Sequence, residues 1–174
     1  MQLNGQSETI EKVNTLTFDI FGTVLDLAGS LVPPLEKLLQ ECNAPESLTG
    51  ADVWNHWRLR QRLEQYQDNI IMLGHSGYLE VKKRALLYTL RLLKIEFTYE
   101  KVDEFMKAYH ELIPFHDAVA GLKRLGTKYR LVILSNGEEW YLKQLVQNNI
   151  GIDFDEILCA EMVSQFKPHP SVYR

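Results

Sequence analysis

Apolar residues along this chain follow two patterns. Short, mostly apolar runs occur at Val13–Phe18, at Leu131–Leu134 ("LVIL") and at Ile157–Ala160 ("ILCA"). Runs of this length, partly β-branched, predict buried strands. Between the second and third lies "EEWYLKQLVQNNIG", where Trp140, Leu142, Leu145 and Val146 recur at helical spacing and Gly151 supplies a C-terminal cap. "HDAVAGLKRLG" precedes the second strand and predicts a helix ended by Gly126. Strand, helix and strand at this spacing predict a parallel α/β sheet of about three strands.

The segment separating the first two strands is helical in pattern. One helix is predicted over Leu35–Cys42. A second is opened by Thr49, with Asp52 as its capping partner, and runs to about Ile70. A third covers Tyr78–Leu93, with leucines at 79, 86, 90 and 93, and a fourth runs from Thr98 to about His110. Four consecutive helices predict a small bundle inserted into the α/β body. The Gly and Pro of "LAGSLVPP" and "ELIPFHD" mark the two linkers. Residues 1–26 and 112–174 then form a discontinuous core and 27–111 a helical cap. A cleft at that junction is a natural small-molecule site.

Composition narrows the classes. The 174 residues are 45% hydrophobic and 24% charged, with a net charge of -4. That balance argues against a nucleic-acid surface, which needs clustered Lys and Arg. The densest basic run, Lys82-Lys83-Arg84, is read as a solvated helix face. Cys42 and Cys159 lack metal-ligand or disulfide-framework spacing, so a reducing cytoplasm is expected, with Cys159 in the core. No apolar stretch is long enough to span a bilayer, and Met1 to Glu11 is too polar for a signal peptide. The histidines at 56, 75, 110, 116 and 169 lack H-E-x-x-H spacing, and His75 in "GHSGY" reads as part of a polar cap loop, with an approach to the cleft as the alternative. Asp153, Asp155 and Glu156 lack the spacing of a cation-binding loop.

The chemistry-bearing residues sit at successive strand ends. Asp19 follows strand one, Ser135-Asn136-Gly137 follows strand two, and Lys167 comes after strand three in "SQFKPHPSVY". Ligands of open parallel sheets bind beyond these carboxyl ends. Alone, each piece is ordinary: Asp caps helices, Ser-Asn-Gly makes turns, and lysine before proline sits on surfaces. Their shared order and edge single them out. A carboxylate can attack as a nucleophile, an ammonium nearby keeps it ionised, and a hydroxyl-amide pair at a helix start can hold an anion. Gly22 lets the backbone turn sharply after the acid.

These stretches resemble the haloacid dehalogenase superfamily of hydrolases. "FDIFGTVLD" is similar to its first motif, "ILSNG" to its second and "FKP" to its third. The resemblance implies a Rossmann-like core with a helical cap. It implies Asp19 as nucleophile, Lys167 as its support, and Thr23, Ser135 and Asn136 as substrate-binding residues. Phosphatase branches carry a second acid two residues after the nucleophile; here that residue is Phe21, which cannot shuttle a proton. "HWRLRQRLEQY" resembles the W-R-x-x-Q cap helix of the type II L-2-haloacid dehalogenases. That likeness implies Arg58 at the departing halide, with Gln61 and Trp54 on the same stripe; Arg60 is the competing assignment. "LIPF" (Leu112 to Phe115) resembles the stretch where that group's cap rejoins the core.

The activity implied by this resemblance is hydrolysis of a short L-2-haloacid through an aspartyl ester, giving an inverted 2-hydroxy acid. Phe21 walls the pocket, the substrate is a small anion, no metal is needed, and a homodimer is an allowed assembly. The alternatives are a magnesium-dependent phosphatase and a non-catalytic remnant. The superfamily's fourth motif, on a strand beside the first, is not found before Arg174. The expectation is therefore a fragment or truncated variant, impaired in activity, whose first strand has an open edge that invites association.

Overall fold

In the computed structural model, which describes residues 12–174, the strands are β1 (Thr15–Phe18), β2 (Arg130–Ser135) and β3 (Glu156–Cys159). The segment Met1 to Glu11, too polar for a signal peptide, lies outside the described residues. All pairing is parallel, in the order β1-β2-β3, with Phe18 beside Ile133 and Ser135 beside Cys159. The predicted parallel α/β architecture with inserted helices is the observed one. Central β2 buries Leu131, Val132 and Ile133. β1 is an edge strand with no fully buried residue, and it is shorter than predicted because Val13 already faces solvent. β3 ends one residue early, at the start of a 3-10 turn over Ala160–Val163.

Helix α5, numbered in chain order after four cap helices, is Ala118–Gly126 and packs on β2. Helix α6, Glu139–Leu145, widens into a π turn over Val146–Ile150 and stops at Gly151, whose φ of 66° is the left-handed cap expected of it. The apolar face differs from the prediction. Trp140 is exposed, and Tyr141 joins Leu142 and Leu145 in the core. Tyr141 can be buried there because its hydroxyl donates to the Tyr109 carbonyl at 2.6 Å, which satisfies the one polar atom it carries inward.

The cap contains α1 (Leu27–Glu41), α2 (Gly50–Ile70), α3 (Tyr78–Leu92) and α4 (Tyr99–Met106), the last continuing as a 3-10 turn over Lys107–Glu111. Thr49 and Asp52 form the predicted capping box of α2. The stretch "LAGSLVPP" is helix, not linker. Asp26 caps α1 by accepting from Gly29 N, and Leu27, Leu31, Leu35, Leu38 and Leu39 make a continuous buried stripe. Burial along that stripe outweighs the helix bonds forfeited at Pro33 and Pro34. The crossing between core and cap is also paired rather than loose. Asp26 N donates to Ile113 O at 2.8 Å and Phe115 N to Val24 O at 2.9 Å.

Trp57 is fully buried where α2, α3 and α4 meet. Phe105 and Tyr109 meet it edge-on, 5.5 and 6.0 Å between centroids, and its indole N–H donates to the Lys82 carbonyl at 2.9 Å. The basic run of α3 is correspondingly not a solvated face. Because α3 packs between α2 and α4, each residue meets a different neighbour. Lys82 turns inward and is buried, Lys83 pairs with Asp103, and Arg84 grips Asp68 with N···O distances of 2.7 and 3.0 Å. Asp68 is itself buried. Arg84→Met should therefore destabilise the protein by about 3 kcal/mol, since it strands a buried carboxylate. Denaturant unfolding checks this, and Asp68→Asn in the Arg84→Met background should recover much of the loss.

Candidate active site

The chain leaves β1 at Phe18 and turns at once. Ile20 is buried, its carbonyl accepts from the Val24 and Leu25 amides, and Gly22 adopts φ +87°, a conformation that a side chain would strain. This turn leaves the Asp19 carboxylate partly open, at 38% exposure of its side chain. Lys167 reaches it from beyond β3. The ammonium donates to Asp19 Oδ1 at 2.8 Å and to the Leu134 carbonyl at 2.8 Å. The backbone N–H of Lys167 donates to Asn136 Oδ1 at 2.7 Å. Three strand ends thus converge on one point.

A cavity of about 180 Å³ opens there, beneath the cap. Asp19, Asn136 and Lys167 form its floor, and Phe21 and Tyr78 its aromatic wall. Those two rings stack, with centroids 4.1 Å apart and planes 17° apart. Arg58, Arg62 and Lys82 enter from α2 and α3. A larger groove of about 400 Å³, between α1 and the segment Lys101–Glu111, contains none of these residues.

The sequence-derived residues divide by position. Asp19, Phe21, Arg58, Asn136 and Lys167 share the cavity. Gln61 is buried behind it, and its Oε1 accepts from Arg58 Nη1 at 3.4 Å. Ser135 is fully buried at the end of β2, its hydroxyl without a partner among the described residues. Thr23 is exposed on the turn and does not line the cavity. The two arginines separate cleanly. Arg60 points away, bonded to Glu64 at 2.8 Å and lying over the Tyr88 ring at 3.9 Å, whereas Arg58 lies 6.0 Å from the Trp54 ring centroid and faces Asp19's cavity.

Sequence reasoning missed Tyr78 and Lys82 of α3, and Arg62, Gln65 and Tyr66 of α2, all of which line the cavity. The signal was present. Tyr78 and Lys82 are four apart, as are Arg58 and Arg62, so each pair shares a helix face. His75 does more than occupy a polar loop. Its Nε2 is 2.7 Å from the Asn136 carbonyl, and its ring lies against Phe166 with centroids 4.1 Å apart. It therefore seats the cap loop on the core.

Electrostatically, Asp19 is the one carboxylate among cavity-lining residues that include four cationic side chains. Burial pushes the phenols of Tyr78, Tyr109 and Tyr141 up, so none competes as an anion. Basic side chains outnumber acidic ones in this lining. Among the described residues no cluster of three metal-ligating side chains forms, and one carboxylate oxygen of Asp19, Oδ1, accepts from the Lys167 ammonium.

The chain has counterparts among known proteins. An (S)-2-haloacid dehalogenase of Xanthobacter autotrophicus is 30% identical over 162 residues, covering 92% of this chain and 60% of that protein. One from Pseudomonas putida is 26% identical over 166 residues, covering 94% and 70%. A phosphoglycolate phosphatase of Aquifex aeolicus is 27% identical over 166 residues, covering 91% and 66%. The solved structure of an L-2-haloacid dehalogenase from Xanthobacter autotrophicus superposes with a TM-score of 0.79 at 27% identity, covering 92% of this chain and 62% of that one. The chain thus spans between three fifths and 70% of the length of these relatives. The haloacid dehalogenase-like hydrolase family model matches residues 13–174, and the chain belongs to that family of hydrolases.

Proposed function

We propose that this chain carries the nucleophile and substrate pocket of a hydrolytic dehalogenase for short L-2-haloacids. The observation that carries this reading is Phe21. Two residues past Asp19 stands an aromatic ring, stacked on Tyr78 of the cap, where a phosphatase would need an acid to protonate its alkoxide leaving group. A halide needs no proton. The likeness to the Xanthobacter and Pseudomonas dehalogenases supports the same choice.

The reaction proceeds from these contacts. Lys167 holds Asp19 through Oδ1, and Oδ2, free of any such contact with the ammonium, is left to attack. It displaces halide from carbon 2, on the face opposite the halogen. The carbon–halogen electron pair leaves with the halide, and an aspartyl ester forms. Arg58 stabilises the departing anion, with Gln61 fixing the guanidinium from behind. Water then adds to the ester carbonyl, releasing an inverted 2-hydroxy acid, one proton and the free carboxylate. Phe21 and Tyr78 keep the backside trajectory dry.

The phosphatase reading rests on the similarity to the Aquifex phosphatase, but Phe21 does not supply the acid its leaving group would need. Asp19→Asn should reduce chloride release from L-2-chloropropionate by roughly a thousandfold or more, and Lys167→Met by a comparable factor, because they act as one unit. Single turnover in H₂¹⁸O should place the label in the Asp19 carboxylate, read by peptide mass spectrometry; label appearing only in the hydroxy acid would exclude the ester. Chloride release should be unchanged by excess EDTA. A magnesium requirement, with phosphate release from phosphoglycolate, would replace this reading with the phosphatase one.

A further inference from the structure

Lys82 faces the reaction cavity without a carboxylate of its own. It is 1% exposed, yet it lines the same cavity as Asp19. Its Nζ lies 4.2 Å from the centroid of the Tyr78 ring, one turn back on α3. Among the described residues its amine makes no ion pair or hydrogen bond; only its backbone carbonyl is engaged, by Trp57. The charged groups around it come from two other elements. Arg58 and Arg62 on α2 oppose its protonation, and Asp19 of the core favours it. Burial, then Arg58, holds the amine well below the ordinary lysine range. A buried amine in this state is costly to the empty protein.

The other cations of the cavity have assignable duties. Lys167 is engaged by Asp19 and the Leu134 carbonyl. Arg58 lies against the nucleophile's own turn: its Nη2 is 3.7 Å from where a Cβ on Gly22 would stand. Arg62 is solvent-exposed at the mouth. A 2-haloacid with one carboxylate leaves Lys82 unmatched. The amine approaches from a different helix than Arg58, on the Tyr78 side.

We propose that Lys82 is the receptor for a second carboxylate, so that the substrate of this cavity is a short 2-halodicarboxylate. This rests on the dehalogenase reading above and narrows its substrate class. A volume of about 180 Å³ suits a four-carbon skeleton rather than a larger ligand. A phosphoryl group could deliver the same double negative charge, and the test separates the two sources.

The test is calorimetric binding of succinate, propionate and inorganic phosphate to the full chain. Chloride release from L-2-chlorosuccinate and L-2-chloropropionate is measured in parallel. Succinate should bind at least about tenfold tighter than propionate, the scale of one charge-assisted contact. Lys82→Met should collapse that ratio to about twofold while raising the melting temperature, and Lys82→Arg should restore much of it. The same ratio should appear in kcat/KM for the two chloroacids, carried by KM. Equal binding of succinate and propionate, phosphate binding tighter than succinate, or a succinate preference that survives Lys82→Met would each overturn the proposal. A Lys82-dependent succinate preference without chloride release from either acid would leave the subsite standing and remove the dehalogenase reading instead.

Discussion

The Lys167 ammonium is the point on which the site depends. It binds the carboxylate after β1 and the Leu134 carbonyl near the end of β2, and it arrives on the segment beyond β3. Three separate strand ends are thereby held at hydrogen-bond distance of one another. The energy is modest, because Asp19 remains partly open to water and solvent screens the pair. What the contact supplies is position. Oδ1 is held by the ammonium, and the Lys167 amide is bound to Asn136 Oδ1. Asp19 is thereby held in the lining of the cavity.

The cap is aligned to the same point by direct contacts. Glu138 Oε1 accepts from the Tyr78 amide at 2.7 Å, and Asn69 makes two bonds with the Phe166 backbone, at 2.8 and 2.9 Å. His75 adds its bond to the Asn136 carbonyl. Aromatic rings continue the join, from Phe21 in the core through Tyr78 to Tyr109 and Trp57 in the cap. Packing of this kind is stiff. The same short segment, 75–78, seats the cap and begins the helix that carries Lys82, so docking and aiming of that amine are one event.

Much of this was legible in the sequence, for identifiable reasons. Periodicity located the strands and the inserted helices, and the order of Asp19, Ser135-Asn136 and Lys167 put the chemistry on one sheet edge. Three features escaped. Pro33 and Pro34 concealed the first half of α1, up to the predicted start at Leu35, because local propensity says nothing of the leucine stripe that holds it together. Trp140 and Tyr141 exchanged places, because the more apolar ring had no advantage over one whose hydroxyl could reach the Tyr109 carbonyl. Lys82 read as surface, because composition cannot anticipate an amine turned inward over Tyr78. Arg58 and Arg60 could not be ranked from spacing alone; the partners Glu64 and Tyr88, which draw Arg60 aside, are tertiary.

The surplus of positive charge has its own explanation in the reaction proposed. An anionic nucleophile must approach an anionic substrate, and two like charges about 4 Å apart repel by about 4 kcal/mol at an effective dielectric of ~20. That penalty alone would slow attack by roughly a thousandfold. Lys167, 2.8 Å from Asp19 and lining the same cavity, offsets part of it. The rest of the offset comes from basic groups on the substrate's other side, on α2 and α3. In the proposed reaction the core therefore supplies the nucleophile and the cap supplies the electrostatic permission to use it. A cap swung away from the core would leave Asp19 held yet facing a substrate it repels, so the proposed reaction depends on the seating contacts at His75, Tyr78 and Asn69.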